Sequence, residues 1–389
     1  MSSLRIVLAH NGYQRRGGED SVVDAEIALL RSNGHSVETY FRSNDDISGM
    51  SSLAVARQTF WSSHTQDNLA KLIRKFKPDV IHAHNTFPLI SPSLYWVAER
   101  ARVPVVQTLH NFRLMCLNAL FLHDSTVCED CMRRLPWRGV WRACYRDSRA
   151  ASAVLGGTLV LHRGLGTYLH KVTRYIALSE FCRRKFIEGG LPASRIVLKP
   201  NFVDIEALPV RPRRKILFVG RLSREKGIHT LAEAIRLYPG IALRVVGDGP
   251  EAGVLIDLIG VTTLGGQPSD VVREEMSQAI ALVLPSICYE NFPRTIVEAF
   301  ACGLPVIASR LGSMAELVKN GETGLLFEAG NCHALAEAMN WALAHPEEMA
   351  EMGRKARAQY EAEFSAEVNY RRLMAIYQEA IDEVKGARG

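Results

Sequence analysis

No stretch of this chain is both long and apolar enough to cross a bilayer. The longest wholly uncharged apolar stretch, Ala153 to Leu161, falls far short of the ~20 residues a membrane helix needs. A strand-like run already begins at Leu4, which leaves no room for an amino-terminal leader and makes a cytoplasmic location the expectation. Internal repeats and low-complexity tracts are absent. So is the G-x-G-x-x-G fingerprint of dinucleotide-binding turns, since Gly17-Gly18 is only a lone pair.

What is present is a soluble, mixed composition spread over 389 residues, too many for one ordinary core and suited to two domains. Charge is unevenly divided. Residues 1–200 hold 27 Lys+Arg against 16 Asp+Glu, whereas the remainder holds 20 against 25, so the net +6 is carried by the first half. A basic half suits an anionic membrane surface, a phosphorylated acceptor or nucleic acid, or is a solvated face with no partner.

Buried-strand runs recur at Leu4–Ala9, Ser36–Phe41, Asp79–His84, Val103–Leu109, Tyr175–Ser179 and Ile196–Leu198. Between them, helical periodicity is read at Val22, Val23, Glu26, Ile27, Leu29 and Leu30, at Leu155–Lys171 and at Glu180–Gly189. After a linker-like Leu208–Arg214, the alternation resumes with strands at Lys215–Val219, Leu243–Val246, Val261–Leu264, Ile280–Leu284 and Pro305–Ala308, and a helical tail from Cys332. Strands alternating with helices predict two doubly wound parallel sheets. The expected domains are 1–207, with an irregular insert at about 113–150, then 208–366, and a terminal helix over 367–389.

Two glutamates eight positions apart, Glu290 and Glu298, frame a segment following the strand Ile280–Leu284. The loop reading for Glu290 and the helix reading for Pro293–Cys302 point both carboxylates toward one crevice at the carboxyl end of the sheet. With Phe218-Val219-Gly220-Arg221-Leu222, Glu225-Lys226-Gly227, Val246-Gly247-Asp248-Gly249-Pro250 and Thr323-Gly324-Leu325-Leu326 in order, this stretch resembles the retaining nucleotide-sugar glycosyltransferases of the family-4 (group 1) type. That resemblance implies the GT-B fold: two Rossmann-like domains facing across a cleft, with the last helix crossing back onto the first.

It also implies a chemistry. A departing diphosphate gains negative charge, so it needs fixed positive charge, for which Arg221 and Lys226 are the candidates beside Gly220. Glu298 would accept both hydroxyls of a ribose, and Glu290 would stand against the donor sugar with Asn291, Phe292 and Pro293 alongside. Gly247 and Pro285 are placed near the base. In the first half, Gly17 and Gly18 would admit the donor phosphate, and His110 resembles the histidine that faces the reacting sugar. The implied reaction retains configuration by front-face attack, and the leaving phosphate takes the acceptor proton. No Asp-x-Asp pair occurs, so catalysis is expected to need no metal, and the donor is a UDP-, GDP- or ADP-sugar. The resemblance also implies that the acceptor would be a hydroxyl on a glycan or lipid-linked precursor of an exopolysaccharide, capsule or lipopolysaccharide. Sugar-phosphate synthesis or epimerisation of the nucleotide sugar is the alternative within the fold. A nucleic-acid-binding module is the remote one, and no nucleic-acid partner is expected.

The insert carries Cys116, Cys128, Cys131 and Cys144, spaced C-x11-C-x2-C-x12-C. In a reducing compartment that pattern is open to a structural zinc site, to reduced packing cysteines or to a redox role. The same segment holds Arg133, Arg134, Trp137, Arg138, Trp141, Arg142 and Arg146, a combination suited to lipid headgroups at the inner face of a membrane or to an acceptor diphosphate.

Overall fold

Residues Ile6 to Asn11 are all buried, because strand β1 (Arg5–Gly12) lies in the interior of a sheet covered on both faces. The computed structural model describes residues 3–14, 17–205 and 212–386, which divide into two units: 1–120 with 129–200 and 369–389, and 121–128 with 201–368. The linker expected at Leu208–Arg214 falls largely outside the described residues.

In the first unit, β1 is joined by β2 (Ser36–Ser43), β3 (Val80–Ala83) and β4 (Val105–Thr108), and by β7 (Arg174–Ala177) and β8 (Ile196–Leu198). They run parallel in the order β2-β1-β3-β4-β7-β8. The reversal of order between β1 and β3 opens a crevice at the strands' carboxyl ends. The helix read at Leu155–Lys171 instead runs Arg149–Gly164 and restarts as Thr167–His170. Gly166, at φ +65°, turns the chain between the two. From Asn369 on, the last helix, Ala366–Gly386, belongs with this unit. Its Tyr377 hydroxyl lies 2.7 Å from His82 Nδ1, and Asn369 Nδ2 donates to the Pro200 carbonyl at 2.7 Å.

The insert is not irregular throughout. It forms a hairpin of β5 (Leu122–His123) and β6 (Thr126–Val127), and a short helix Trp137–Trp141 packed on Arg149–Gly164. The hairpin groups with the second unit. Its Ser125 hydroxyl accepts from Arg224 Nε at 2.7 Å, and Phe121 meets the Tyr289 ring edge-on with centroids 6.0 Å apart.

The second sheet runs β11 (Val261–Thr263), β10 (Leu243–Val246), β9 (Lys215–Val219), β12 (Ala279–Leu284), β13 (Val306–Ser309) and β14 (Gly324–Phe327), all parallel. Strand β14 had been legible only as a motif. Along β9 the alternation of side chains is complete: Ile216 and Phe218 enter the core on one face, and Leu217 and Val219 enter that on the other. Both faces are therefore covered, and the order reverses between β9 and β12. Helices Cys332–Ala344 and Pro346–Glu363 follow, with the Tyr360 hydroxyl donating to the Val203 carbonyl at 3.0 Å.

Candidate active site

At the switch point of the second sheet, the loops after β9 and β12 are pinned to one another. Ile287 N donates to the Glu225 carbonyl at 3.0 Å. Gly227 sits at φ +73°, where a Cβ would lie 1.9 Å from the Pro285 carbonyl oxygen, so only glycine admits this approach. Lys226, in the turn Arg224–Lys226, reaches Glu290 with Nζ 2.6 Å from Oε1, and the Ser286 hydroxyl donates to the same oxygen at 2.7 Å. Burial works against the Lys226 ammonium, but Glu290 overrides it and the lysine pKa is raised. Lys226 therefore stays charged. Burial, together with Glu290, pushes the nearby Cys288 thiol up, so it is held protonated.

The helix expected from Pro293 runs Arg294–Ala301, and it places Glu298 with its carboxylate 3.1 Å from Arg294 Nε. The angle is too poor for a hydrogen bond, since Arg294 Nε has no such partner among the described residues. Burial raises the Glu298 pKa and Arg294 only partly opposes it. Asn291 is buried, its carbonyl accepting from the Ser313 hydroxyl at 2.8 Å, and Phe292 packs edge-on to Phe364 at 6.1 Å. Pro293 and Pro285 are buried, whereas Arg221 is exposed at the end of β9. Gly247 is at φ +140°, with the Gly220 carbonyl 1.9 Å from where its Cβ would stand, so the loops after β9 and β10 also touch. The second unit thus brings Lys226 and Glu290 together, with Gly220, Gly247 and Pro285 in the loops around them. Ser286 and Arg294 were missed by sequence reasoning; their places, in the loop after β12 and at the start of the helix that follows it, were the only signal.

In the first unit, Gly17 is extended at the start of helix Gly18–Ser32, and its N–H donates to Asp20 Oδ2 at 2.8 Å. Asp20 Oδ1 lies 2.9 Å from His10 Nε2, so Asp20 ties the exposed Gly17-Gly18 turn to β1. His110 follows β4. Its Nε2 is 2.8 Å from His84 Nδ1 and the two rings stack with centroids 5.1 Å apart. Burial, then the neighbouring His84, holds the His110 pKa well below the usual histidine range, so the ring is neutral.

Behind these rings stands a group that the sequence did not reveal. Glu26, on the buried face of its helix, has Oε2 3.3 Å from His84 Nε2 and 3.5 Å from His82 Nδ1, while Oε1 is 2.7 Å from Lys199 Nζ. Burial opposes its charge, but Lys199 and the histidines overcome that and hold its pKa well below the carboxylate range. Among the described residues, Glu26, His82 and His84 are the group whose ligating atoms all lie within 4.8 Å of one another. A metal fits poorly there, because the Lys199 ammonium already neutralises the carboxylate. Among the described residues the four insert cysteines are not grouped in this way, so the zinc reading is not supported. Cys116 Sγ donates to Asn118 Oδ1 at 2.9 Å.

A pocket opens in front of His84 and His110, lined also by Glu19, Arg113, Leu155 and Tyr168. Arg113 lies over the Phe87 and Tyr145 rings, 5.1 and 5.3 Å from their centroids. Its Nη1 and the Glu19 Oε1 are buried with no hydrogen-bond partner among the described residues.

Two Rossmann-like sheets, with the carboxylates, lysine and glycine contacts at the second switch point, define a GT-B protein. The family description "Glycosyltransferase Family 4" matches residues 16–207, and "Glycosyl transferases group 1" matches residues 204–359. This chain belongs to that family of glycosyltransferases. It is 28% identical over 306 residues to the glycogen synthase of Mycobacterium tuberculosis, in a match that takes in 75% of this chain and 66% of that one. The chain thus spans about two thirds of the length of that relative. In fold it is similar to sucrose-phosphate synthase from Thermosynechococcus elongatus, with a TM-score of 0.72 at 20% identity, covering 97% of this chain and 98% of that one. Anabaena HepE in complex with UDP and glucose superposes with a TM-score of 0.64 at 19% identity, covering 96% and 99%. Among the described residues no helix is long and apolar enough to cross a membrane.

Proposed function

We propose that the protein transfers a sugar from a nucleotide-sugar donor to a hydroxyl of a glycan or lipid-linked acceptor, with retention, in the assembly of a polysaccharide. The observation that carries this reading is the 2.6 Å pair of Lys226 and Glu290 at the switch point of the second sheet. Lys226 and Arg221 hold the leaving diphosphate, and Glu290 turns its other oxygen to the sugar. As the glycosidic bond breaks, Lys226 is drawn from Glu290 toward the growing phosphate charge, which releases Glu290 to stabilise positive charge on the ring. Glu298 takes the ribose hydroxyls, and Asn291, Phe292 and Pro293 form the wall beside them. Gly220, Gly247 and Pro285 leave room for phosphate and base.

In the first unit, Gly17 and Gly18 allow phosphate to approach backbone amides, and His110 acts on the sugar as a neutral hydrogen-bonding group. The pocket with Glu19 and Arg113 takes the acceptor, because two buried polar atoms there call for partners that a hydroxylated ligand supplies. That the HepE structure holds UDP supports a uridine donor among the UDP-, GDP- and ADP-sugars.

The test is calorimetric titration of the protein with UDP, GDP and ADP and their glucose conjugates, repeated on Lys226→Ala and Glu298→Ala. One nucleotide should bind, and both substitutions should weaken it at least tenfold, since a hydrogen bond to a charged group contributes about 1.5–3 kcal/mol. Product from that donor and a candidate acceptor, examined by NMR, should keep the donor's anomeric configuration; inversion would remove the retaining reading. Binding of no nucleotide, or undiminished binding to both variants, would sink the site as drawn.

A further inference from the structure

Between residues 133 and 149 the insert exposes what a soluble surface usually covers. Leu135, Trp137 and Trp141 are 65%, 63% and 67% exposed. The backbone makes this arrangement a fixed one. Gly139, midway along the helix Trp137–Trp141, is buried so tightly that a Cβ would meet Leu117 Cδ1 at 2.9 Å and Cys131 Sγ at 3.3 Å. That face of the helix is pinned inward, and the two tryptophans, four residues apart, share the other. Arginines dress them: the Arg138 guanidinium lies 5.5 Å from the Trp137 ring centroid and that of Arg149 4.7 Å from Trp141. Arg133, Arg134, Arg142 and Arg146 are exposed as well. Asp130, paired with Arg138 at 3.2 Å and with Arg142 at 2.8 Å, offsets only a small part of this charge.

We infer that this face docks on an anionic lipid surface. Indole rings set among arginines suit the headgroup layer, where the ring meets the acyl boundary and the guanidinium meets phosphate. Leu135 decides against a nucleic acid, because stacking and phosphate contacts give an exposed leucine nothing to bury against. The helix Arg149–Gly164 connects the surface to the pocket: Arg149 begins it, and Leu155, Thr158 and Leu159 line the pocket beside His110. Docking would hold that pocket close to the lipid from which a lipid-linked acceptor is drawn. The inference does not depend on the donor reading, since lipid binding needs no nucleotide.

The experiment is co-sedimentation of the full chain with phosphatidylcholine vesicles that contain or lack phosphatidylglycerol, at low and high salt. Binding should require phosphatidylglycerol, weaken with salt and shift tryptophan fluorescence to the blue. Trp137→Ser with Trp141→Ser should lower partitioning by roughly tenfold per ring, following the burial of an aromatic side chain. Leu135→Ser should act in the same direction, and an unchanged melting temperature would show that each variant is folded. Three results would overturn the proposal: no sedimentation with either vesicle, salt-sensitive sedimentation indifferent to all three apolar positions, or an RNA mobility shift in a protein that ignores vesicles.

Discussion

The ammonium of Lys199 and the carboxylate of Glu26, 173 positions apart in the sequence, meet at 2.7 Å with both side chains wholly buried. Lys199 also donates to Asn369 Oδ1 at 3.0 Å, so the pair ties the first helix, the end of β8 and the last helix together. Removing one partner leaves an uncompensated buried charge, which costs about 3–5 kcal/mol. Glu26→Ala should therefore destabilise the first unit by that amount in urea unfolding. Glu26→Leu combined with Lys199→Met should cost less than Glu26→Ala alone. A double variant worse than the single would show that the pair contributes more than mutual compensation.

Acid sensitivity follows from the histidines around that carboxylate. Burial, the largest influence on each, depresses the pKa of His82, His84 and His110. In the unfolded chain these rings titrate near the ordinary histidine value of about 6.5. The sign is fixed: the folded form binds fewer protons, so stability is full above about 6.5 and falls as pH drops below it. The loss is about 1.4 kcal/mol per pH unit for each ring. The melting temperature should fall between pH 7 and pH 5, and less steeply in His84→Phe. An equally steep fall in that variant would assign the acid sensitivity to other groups.

How much of this was legible beforehand varies with sequence distance. The strands of both sheets other than β14 were readable because each is a local apolar run, and Glu290 and Glu298 stood out by their spacing of eight, whereas the contact between Lys226 and Glu290, 64 positions apart, was not legible. The hairpin of the insert was not, since strands of two residues carry no periodicity. Glu26 did appear among the periodic positions of its helix, and a charged residue on an apolar stripe was the available signal. Its partner was invisible, because nothing local to Lys199 points back across 173 positions.

Gly227 carries a constraint that can be tested without knowing the substrate. At φ +73°, alanine would incur the left-handed penalty of about 1–2 kcal/mol even with space to spare, and a Cβ would press on the Pro285 carbonyl. Gly227→Ala should lower the stability of the second unit by more than that penalty and separate Lys226 from Glu290. Nucleotide binding should fall in step. Full affinity in a destabilised variant would mean that the contact with Pro285 supports the fold and not the site.

The tautomer of His110 is the last consequence of the buried group. A carboxylate beside His84 Nε2 favours the proton on that nitrogen, which leaves Nδ1 to accept from His110 Nε2–H across 2.8 Å. His110 then keeps its Nδ1 lone pair for a ligand. Nitrogen-15 spectra of histidine-labelled protein should show His110 as the neutral Nε2–H form at neutral pH. In Glu26→Gln, where the charge is lost but the shape is kept, the two tautomers should approach equal populations, as they would not if packing alone oriented the ring. If His110 acts on the sugar, the variant should also lower kcat more than it raises KM for the donor, since the ring would remain in place with its lone pair wrongly assigned.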